Sequence, residues 1–486
     1  MKLSVACNFD DALLAGLAGH PVYEIYGKLT SDYFGGGRPS FYLPEVRRPA
    51  LERYVKRTHT AGIEFNYLLN ALAMGNREYT REGQRNAEEL LAWLDGIGVD
   101  SVTVANIFFL RLVKRRHPRI KVRVSSHMHT DNPRKVRFWV DNGADYVVVS
   151  ETNIHRELAV LAAMQEAAAG VELQLIVNNW CRQDCAIASN HAVTLNAASQ
   201  EGSKGFPIDY CSLVCNELRV REPVNYLRAN WIRPEDLHVY EALGYHNFKI
   251  VERNTPTPIL LRRVAAYAGR RYDGNLLDLV QNYAYPEEAY EGRAKDAYSL
   301  RRMVKYFGKP RAANLLKFGK VVDFGKTASV LYPRRGPNPV QIDNRALDGF
   351  LDRFKDKSCL DVDCEACRYC HEWAERTVHI DPAWRARMRG DVDELLGELD
   401  SGGFWEPYLT TLRRHASRAR ELGRRALGLG AAPAVAPAPR EAAASEPRRP
   451  VVRLPVLPNE HAPRPPVPGR AGAPRAAGRV IDEPPP

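Results

Sequence analysis

Long apolar segments are missing from this sequence. None of its 486 residues lies in a run of roughly 18 consecutive apolar residues, the length that a membrane-spanning helix requires. Residues 1–16 contain one lysine, early acidic residues and no cleavage signature, so we expect no signal peptide. We therefore predict a cytoplasmic protein without a membrane span.

Two motifs of common hydrolases are also absent. The sequence contains neither the G-x-S-x-G turn that exposes a catalytic serine nor the H-E-x-x-H pattern of zinc proteases. These absences disfavour serine peptidases of the hydrolase type and helical zinc proteases. A cysteine nucleophile remains an alternative.

Positive charge is in excess but is not concentrated in one place. The formal net charge is +11, and the tail after Ala431 carries eight arginines against five acidic residues. The remaining charge is spread over more than 400 residues in short runs such as 114–116. This distribution favours solvated helix faces, with RNA or another polyanion as the alternative partner.

Short apolar strands alternate with amphipathic helices over the first 270 residues, which is typical of repeated βα units. Eight such strands with right-handed connections predict a (β/α)8 barrel of the TIM type. Ligand sites in these barrels lie at the carboxyl ends of the strands, where most of the predicted strands end in a polar residue. The predicted strands are Leu3–Asn8, Val22–Lys28, Ile63–Asn70, Ser101–Asn106, Lys121–His127, Tyr146–Glu151, Leu173–Asn179 and Asn247–Arg253.

Helices are predicted between these strands, and most of them stop just before a glycine, the residue that best accepts a left-handed backbone. The connection between the second and third strands shows only a loose helical pattern. The predicted helices are Arg81–Gly96, Asn132–Asn142, Asn153–Ala169, Pro234–Leu243 and Pro258–Arg270.

Three regions follow from these patterns. Residues 1–275 form the barrel, which includes a connection at 180–231 that is far longer than an ordinary βα loop. Residues 276–427 form a mixed and then helical appendage, with its clearest helices at Asp391–Leu399 and Tyr408–Leu427. Residues 428–486 are rich in proline, alanine and arginine without periodicity, so we expect a disordered tail.

Eight of the nine cysteines fall into two groups of four, and in a reducing compartment they do not indicate disulfides. The first group lies in the long connection, with three residues between the members of each pair. Structural zinc usually has two residues between paired cysteines, whereas iron–sulfur proteins use more varied spacings. An iron–sulfur cluster at the barrel mouth is favoured over zinc or free thiols. The four cysteines are Cys181, Cys185, Cys211 and Cys215.

The second group packs four cysteines into twelve residues of the appendage, which is a strong ligand pattern. It predicts either a second 4Fe–4S cluster or a structural zinc. The ninth cysteine, Cys7, is expected to be a small buried hydrophobic residue. The group comprises Cys359, Cys364, Cys367 and Cys370.

Three segments resemble one family: the cysteine-bearing loop, the stretch Trp231–Leu237 and the strand Phe248–Arg253. Over residues 1–275 the chain resembles the collagenase-like peptidase family U32. Lys249 and Arg253 match the family's Lys-Ile-Glu-Gly-Arg strand, whereas Val251 replaces its glutamate and Glu252 replaces its glycine.

The resemblance implies a barrel whose four cysteines bind a 4Fe–4S cluster. Better-understood members of the family are oxygen-independent hydroxylases of quinone precursors or RNA bases, with prephenate as oxygen donor for some. By that resemblance we expect an iron–sulfur oxidoreductase or hydroxylase acting on a small molecule or RNA. A family-type peptidase is the first alternative, and a maturation protein that binds RNA or a partner, which includes another member of the family, is the second.

Within the expected enzyme, Lys249 and Arg253 would hold a carboxylate-bearing substrate by charge-assisted hydrogen bonds. His127 and Glu151 are the candidate proton carriers, because histidine titrates near neutral pH. Glu252 is the candidate to replace the missing glutamate of the family strand.

Overall fold

The chain is described by a computed structural model that covers residues 1–203, 208–280, 285–290, 333–360 and 362–405. All of these residues belong to one unit, 1–414. The predicted helix Tyr408–Leu427 and the predicted disordered tail 428–486 lie outside the described residues. No helix among the described residues is both long and apolar enough to cross a membrane.

A closed barrel of eight parallel strands confirms the predicted fold class. Consecutive barrel strands are neighbours, and the last one, β10, pairs with the first to close the ring. All eight predicted strands are present, each shorter at its carboxyl end than predicted because the polar end residues lie beyond the barrel strands. The barrel strands are β1 Lys2–Ala6, β2 Val22–Gly27, β3 Glu64–Leu69, β4 Ser101–Val104, β5 Lys121–Val124, β6 Tyr146–Val148, β7 Glu172–Ile176 and β10 Asn247–Ile250. Two further strands, β8 Asn178–Arg182 and β9 Ala229–Trp231, form a separate antiparallel pair.

Helices connect the strands as the apolar spacing predicts. The third helix begins after Thr80, whose side chain accepts from the amide of Gly83, and Gly98 beyond its end has a φ of +85°. The loosely patterned connection after β2 contains a helix of 13 residues. The helices are α1 Asp11–Gly16, α2 Arg48–Thr60, α3 Arg81–Gly96, α4 Ile107–Arg116, α5 Pro133–Asp141, α6 Leu158–Ala167, α7 Ala188–Ala197, α8 Tyr210–Arg221, α9 Val224–Leu227, α10 Leu237–Ala242 and α11 Thr257–Gly269.

Two of the predicted helix starts are wrong. Helix α6 begins at Leu158 rather than Asn153, because residues 151–157 form a loop whose side chains bind elsewhere in the mouth. The segment that opens at Pro234 first makes a 3-10 turn, Pro234–Asp236, before α10 begins.

The described residues of the appendage form short strands and four helices. The strand Val340–Ile342 pairs antiparallel with Val378–Ile380, and the predicted helix Asp391–Leu399 is the carboxyl half of a longer one. This longer helix packs along α8 of the cysteine-bearing connection. The elements are β11 Tyr285–Pro286, β12 Pro333–Arg334, β13 Val340–Ile342, β14 Val378–Ile380, α12 Arg353–Asp356, α13 Cys364–Cys367, α14 Tyr369–Thr377 and α15 Pro382–Asp400.

The barrel interior contains an ion pair where branched apolar side chains usually fill such barrels. Arg123 Nη2 lies 2.6 Å from Glu24 Oε2, and both side chains are completely buried. Ser4 donates to the same carboxylate at 2.6 Å, and the Tyr23 hydroxyl accepts from Arg123 at 3.0 Å. This network compensates two charges that would otherwise be costly to remove from water.

Removing one charge of this pair is expected to be more harmful than removing both. Glu24→Gln leaves the Arg123 guanidinium buried without a counter-charge and should lower the free energy of unfolding by about 3–5 kcal/mol. The double variant Glu24→Leu/Arg123→Met should lose less than Glu24→Gln alone. Urea denaturation measures both, and a double variant that is less stable than the single one would contradict this account of the barrel interior.

Candidate functional site

The five predicted site residues outside the cysteine groups meet at the carboxyl ends of the barrel strands. His127 follows β5, Glu151 follows β6, and Glu252 and Arg253 follow β10, whose own residue Lys249 faces the same region. Charge interactions connect His127 with Glu151, Glu151 with Lys249, and Lys249 with Arg253. The polar strand ends therefore converge on one mouth.

His127 and Glu151 form a charge-coupled pair in this mouth. Burial lowers the pKa of His127 below its ordinary value although the charge of Glu151 opposes this. Burial opposes ionisation of Glu151, yet His127, a 2.8 Å hydrogen bond from Ser126 and the charge of Arg38 hold its pKa below the usual range. The pair thus favours a neutral imidazole beside a carboxylate, an arrangement suited to accepting a proton.

Arg38 is a central residue of the mouth that sequence reasoning missed. Its guanidinium binds the Glu252 carboxylate, with Nη2 3.0 Å from Oε2 and Nε 3.3 Å from both oxygens. Its charge also acts on Glu151 and on the Cys181 thiol. Arg38 therefore connects the acidic residues of the mouth with the first cysteine group.

Three consecutive glycines, 35–37, precede Arg38 and were the available signal for it. A side chain at Gly36 would approach Lys28 Cδ to 2.7 Å, and Gly37 donates its amide to Asn70 Oδ1 at 3.0 Å. Ser199, at the end of α7, exchanges hydrogen bonds with the backbone of Gly36 at 2.7 and 2.9 Å. The glycines thus let this loop lie directly on the strand ends beneath the cysteine-bearing connection.

Glu252 has an unusual backbone conformation, with a φ of +100°. This is a region that glycine adopts readily, and Glu252 stands where the family strand has glycine. Its side chain is buried, and the charge and hydrogen bonds of Arg38 hold the pKa of the carboxyl below its usual value despite that burial. The ion pair with Arg38 offsets the backbone strain.

Lys249 and Arg253 are buried cations without an anionic contact. Only 6% and 4% of these residues is exposed, and within the described residues neither side chain makes a hydrogen bond or ion pair. Lys249 Nζ lies 3.9 Å from the centroid of the Tyr26 ring, and Arg253 Nη2 is buried without a partner. Burial, with the charge of Arg123, lowers the pKa of Lys249 to about 7, and burial lowers the pKa of Arg253 to about 10. The pair therefore favours an anionic ligand.

The first cysteine group occupies one neighbourhood beside this mouth. Cys181 lies on β8, Cys185 follows the same strand, and Cys211 and Cys215 are four residues apart on one face of α8. The charge of Cys215 acts on Cys181, and the charges of Cys185 and Cys215 act on Cys211. Burial raises the pKa of the Cys181 and Cys211 thiols.

The donor set of this group fits a soft metal or an iron–sulfur cluster in number and kind. However, within the residues that the structure describes, no three His, Cys, Asp or Glu side chains stand close enough to enclose a metal ion. The thiols are thus neighbours rather than a closed ligand shell. Their side chains would have to turn inward and lose their protons to coordinate.

The second cysteine group lies against the same end of the barrel. Glu157, in the loop after β6, accepts from the Cys359 amide at 2.9 Å and from the Ser358 hydroxyl at 2.6 Å. Arg156 acts on Cys359 and Cys370 through its charge. The segment turns sharply between Cys367 and Cys370 because Arg368 has a φ of +51°. Burial raises the pKa of both Cys359 and Cys370.

The Arg38–Glu252 pair predicts a specific order of variant stabilities. Glu252→Gln keeps the positive φ but leaves Arg38 without its counter-charge, so the free energy of unfolding should fall by about 2–3 kcal/mol. Glu252→Gly also loses the ion pair but relieves the backbone, so it should be the more stable of the two variants. Chemical denaturation ranks them, and a Gln variant as stable as the parent would refute the role of the pair.

The lowered pKa of Lys249 predicts a pH dependence of stability. Between about pH 7 and about pH 10 the unfolded chain binds a proton at Lys249 that the folded chain does not, so stability should rise with pH by roughly 1 kcal/mol per unit. Lys249→Met should lack this rise. Parallel urea titrations at several pH values test it, and equal slopes for the two proteins would exclude the shift.

Parts of this chain are similar to known proteins. The model of peptidase family U32 matches residues 38–204, a segment that begins at Arg38 and contains His127, Glu151, Cys181 and Cys185. An uncharacterized protease of Methanocaldococcus jannaschii, MJ1657, is 25% identical over 360 residues, which cover 74% of this chain and 89% of that protein. A solved structure of the U32 peptidase Mk0906 is 18% identical, with a TM-score of 0.39, and covers 51% of this chain and 91% of its own. The chain is thus similar to peptidase family U32 over residues 38–204, which supports the resemblance seen in its sequence.

Proposed function

We propose that this chain is an iron–sulfur enzyme that hydroxylates, or otherwise modifies by redox chemistry, a small molecule or RNA without molecular oxygen. The supporting observation is the environment of Cys181, whose thiol interacts with Glu151, Arg38 and Cys215. The first cysteine group therefore adjoins the residues that would handle substrate. A cysteine group placed only for stability would have no need of this position.

Bound to Cys181, Cys185, Cys211 and Cys215, a 4Fe–4S cluster would supply a Lewis-acidic iron or an electron relay. Every other role falls to residues of the mouth. Lys249 and Arg253 bind the carboxylate of a substrate or oxygen donor, because both are cations without an anionic contact in the described residues.

Proton movement is assigned to the coupled pair. His127 accepts a proton from the substrate, and Glu151 stabilises the resulting imidazolium through its charge. Arg38 orients the acidic side of the mouth through Glu252. Glu252 is therefore a positioning residue rather than a proton carrier, since both of its oxygens are engaged with Arg38.

The second cysteine group is proposed to hold a second 4Fe–4S cluster or a zinc ion. Its first three cysteines have the C-x4-C-x2-C spacing that also occurs in plant-type iron–sulfur proteins. Either metal would fix the loop that carries Glu157. We further propose a cytoplasmic location and, as partners, a carboxylate-bearing small molecule or RNA and a protein of the same family.

Metal analysis of two cysteine variants tests the proposal. Anaerobically purified protein should contain about four irons with equal sulfide for each cluster. Cys181→Ala should lose the iron of the first group, and Cys364→Ala should lose only the metal of the second. Zinc without iron or sulfide in the parent protein would refute the redox function and leave the peptidase and the maturation protein as the alternatives.

Peptidase activity is the second candidate, and one contact favours it. Ser189 Oγ lies 3.4 Å from His129 Nε2, and His129 Nδ1 lies 3.5 Å from Thr152 Oγ1. This is the order of a nucleophile, a base and an orienting group, although a hydroxyl stands in place of the usual carboxylate. The name of the Methanocaldococcus relative agrees with this candidate.

The two candidates respond to different variants. If the chain is a peptidase of this kind, Ser189→Ala should abolish cleavage of a casein substrate, and Cys181→Ala should not. Thr194→Val, on the same helix α7, is the matched control. Among the described residues, the Thr194 hydroxyl donates only to the Asn190 carbonyl. Equal cleavage by Ser189→Ala and the parent would exclude Ser189 as the nucleophile.

A further inference from the structure

The amine of Lys249 differs from that of the other buried lysine near the mouth. Lys28 Nζ lies 2.8 Å from Asp32 Oδ2 and donates to the Leu29 carbonyl at 3.2 Å. Lys249 Nζ has no such partner among the described residues and approaches only the face of the Tyr26 ring. A buried amine that is neither paired nor hydrogen-bonded is free to react.

Burial favours the neutral form of Lys249. Desolvation has the largest effect, and although Glu24 and Glu151 oppose the charges of Arg123 and Arg253, the pKa of the amine is lowered to about 7. A lysine that is desolvated and lies next to another cation is activated as a nucleophile, because an appreciable fraction of it carries a lone pair at neutral pH. Lys28 is also desolvated and also feels the charge of Arg253, but its ion pair with Asp32 stabilises the protonated amine.

Arg253 supplies the second half of a binding site. Its guanidinium, with Nη2 buried and unpartnered, interacts through its charge with the Tyr26 phenol and with Lys249. An unpaired guanidinium in a buried site fits a carboxylate. The amine lies over the Tyr26 ring and the guanidinium interacts with the phenol of the same residue, which suits a ligand whose carbonyl and carboxylate groups are adjacent.

We propose that Lys249 forms an imine with the carbonyl carbon of a 2-oxo acid whose carboxylate is bound by Arg253. This deepens the proposed function by naming a ligand class for the same mouth, and it divides the roles there: Arg253 alone binds the carboxylate, while Lys249 reacts as the neutral amine. It rests on that site but not on a bound cluster. None of the atoms that it requires belongs to a cysteine.

The step balances without an external oxidant or reductant. The Lys249 lone pair attacks the carbonyl carbon, and the amine proton passes to the carbonyl oxygen to give a carbinolamine. Loss of the hydroxyl group together with the second amine proton, as water, leaves the carbon–nitrogen double bond. His127 and Glu151, which interact with each other and with Lys249 through Glu151, are placed to shuttle these protons.

Borohydride trapping tests the proposal on the full-length chain. Anaerobically purified protein is incubated with pyruvate, the simplest 2-oxo acid, and reduced with borohydride, and the modified lysine is located by peptide mass mapping. The reduced adduct is expected on Lys249, with Lys28 as the internal control that remains unmodified. No adduct on Lys249, or equal modification of Lys28 and exposed lysines, would overturn the proposal.

Variants separate the roles of the two cations. Lys249→Arg retains the charge but cannot form an imine, so the site-specific adduct should vanish. Arg253→Gln should reduce trapping of pyruvate by about tenfold, and trapping of acetone, which lacks a carboxylate, should change little. Equal losses for both probes would refute carboxylate binding by Arg253.

The cysteine variants keep this proposal distinct from the proposed function. Trapping that persists in Cys181→Ala supports an imine site whether or not the parent protein binds iron. Conversely, a parent protein that holds iron but shows no adduct on Lys249 excludes the imine while the cluster chemistry stands. The mapping on the unaltered chain does not depend on the folding of any variant.

Discussion

The ion pair between Arg38 and Glu252 holds the barrel mouth together. It joins the glycine loop after β2 to the end of β10, two segments 214 residues apart in the chain. Lys249 and Arg253 belong to the strand end that carries Glu252. The cysteine-bearing connection packs on the glycine loop that carries Arg38. The strained backbone at Glu252 is tolerated because this contact depends on it.

Buried charges are paired in the barrel interior, whereas some of them lack an anionic contact at the mouth. In the interior, Glu24 and Arg123 form a buried ion pair to which Ser4 and Tyr23 add hydrogen bonds. At the mouth, the cations outnumber the carboxylates that contact them, since Lys249 and Arg253 have no anionic contact in the described residues. The compensated layer stabilises the fold, and the uncompensated layer is available for a ligand.

The sequence predicted the parts of this fold that depend on local patterns. Apolar strands, amphipathic helices and terminal glycines such as Gly98 identify βα units without knowledge of their partners, and all eight barrel strands were placed. The convergence of His127, Glu151, Lys249, Glu252 and Arg253 followed from the rule that active sites lie at the strand ends.

Features that depend on distant partners were not predictable in the same way. Arg38 is important because it binds Glu252. Arg123 lies in a buried strand, and only its ion pair with Glu24 explains why a charged residue stands there. The late start of α6 has a similar cause, because Glu157 is engaged by residues of the appendage. The metal content of the two cysteine groups stays a prediction.

The contact between Glu157 and Cys359 spans 202 residues of chain. Glu157 is the last residue of the loop that begins at Glu151. The segment that holds this end of the loop follows the barrel strands in the chain. The chain is synthesised from its amino terminus, so this contact cannot form before Cys359 has been made. Until then the loop at the barrel mouth lacks the hydrogen bonds that Ser358 and Cys359 donate to Glu157.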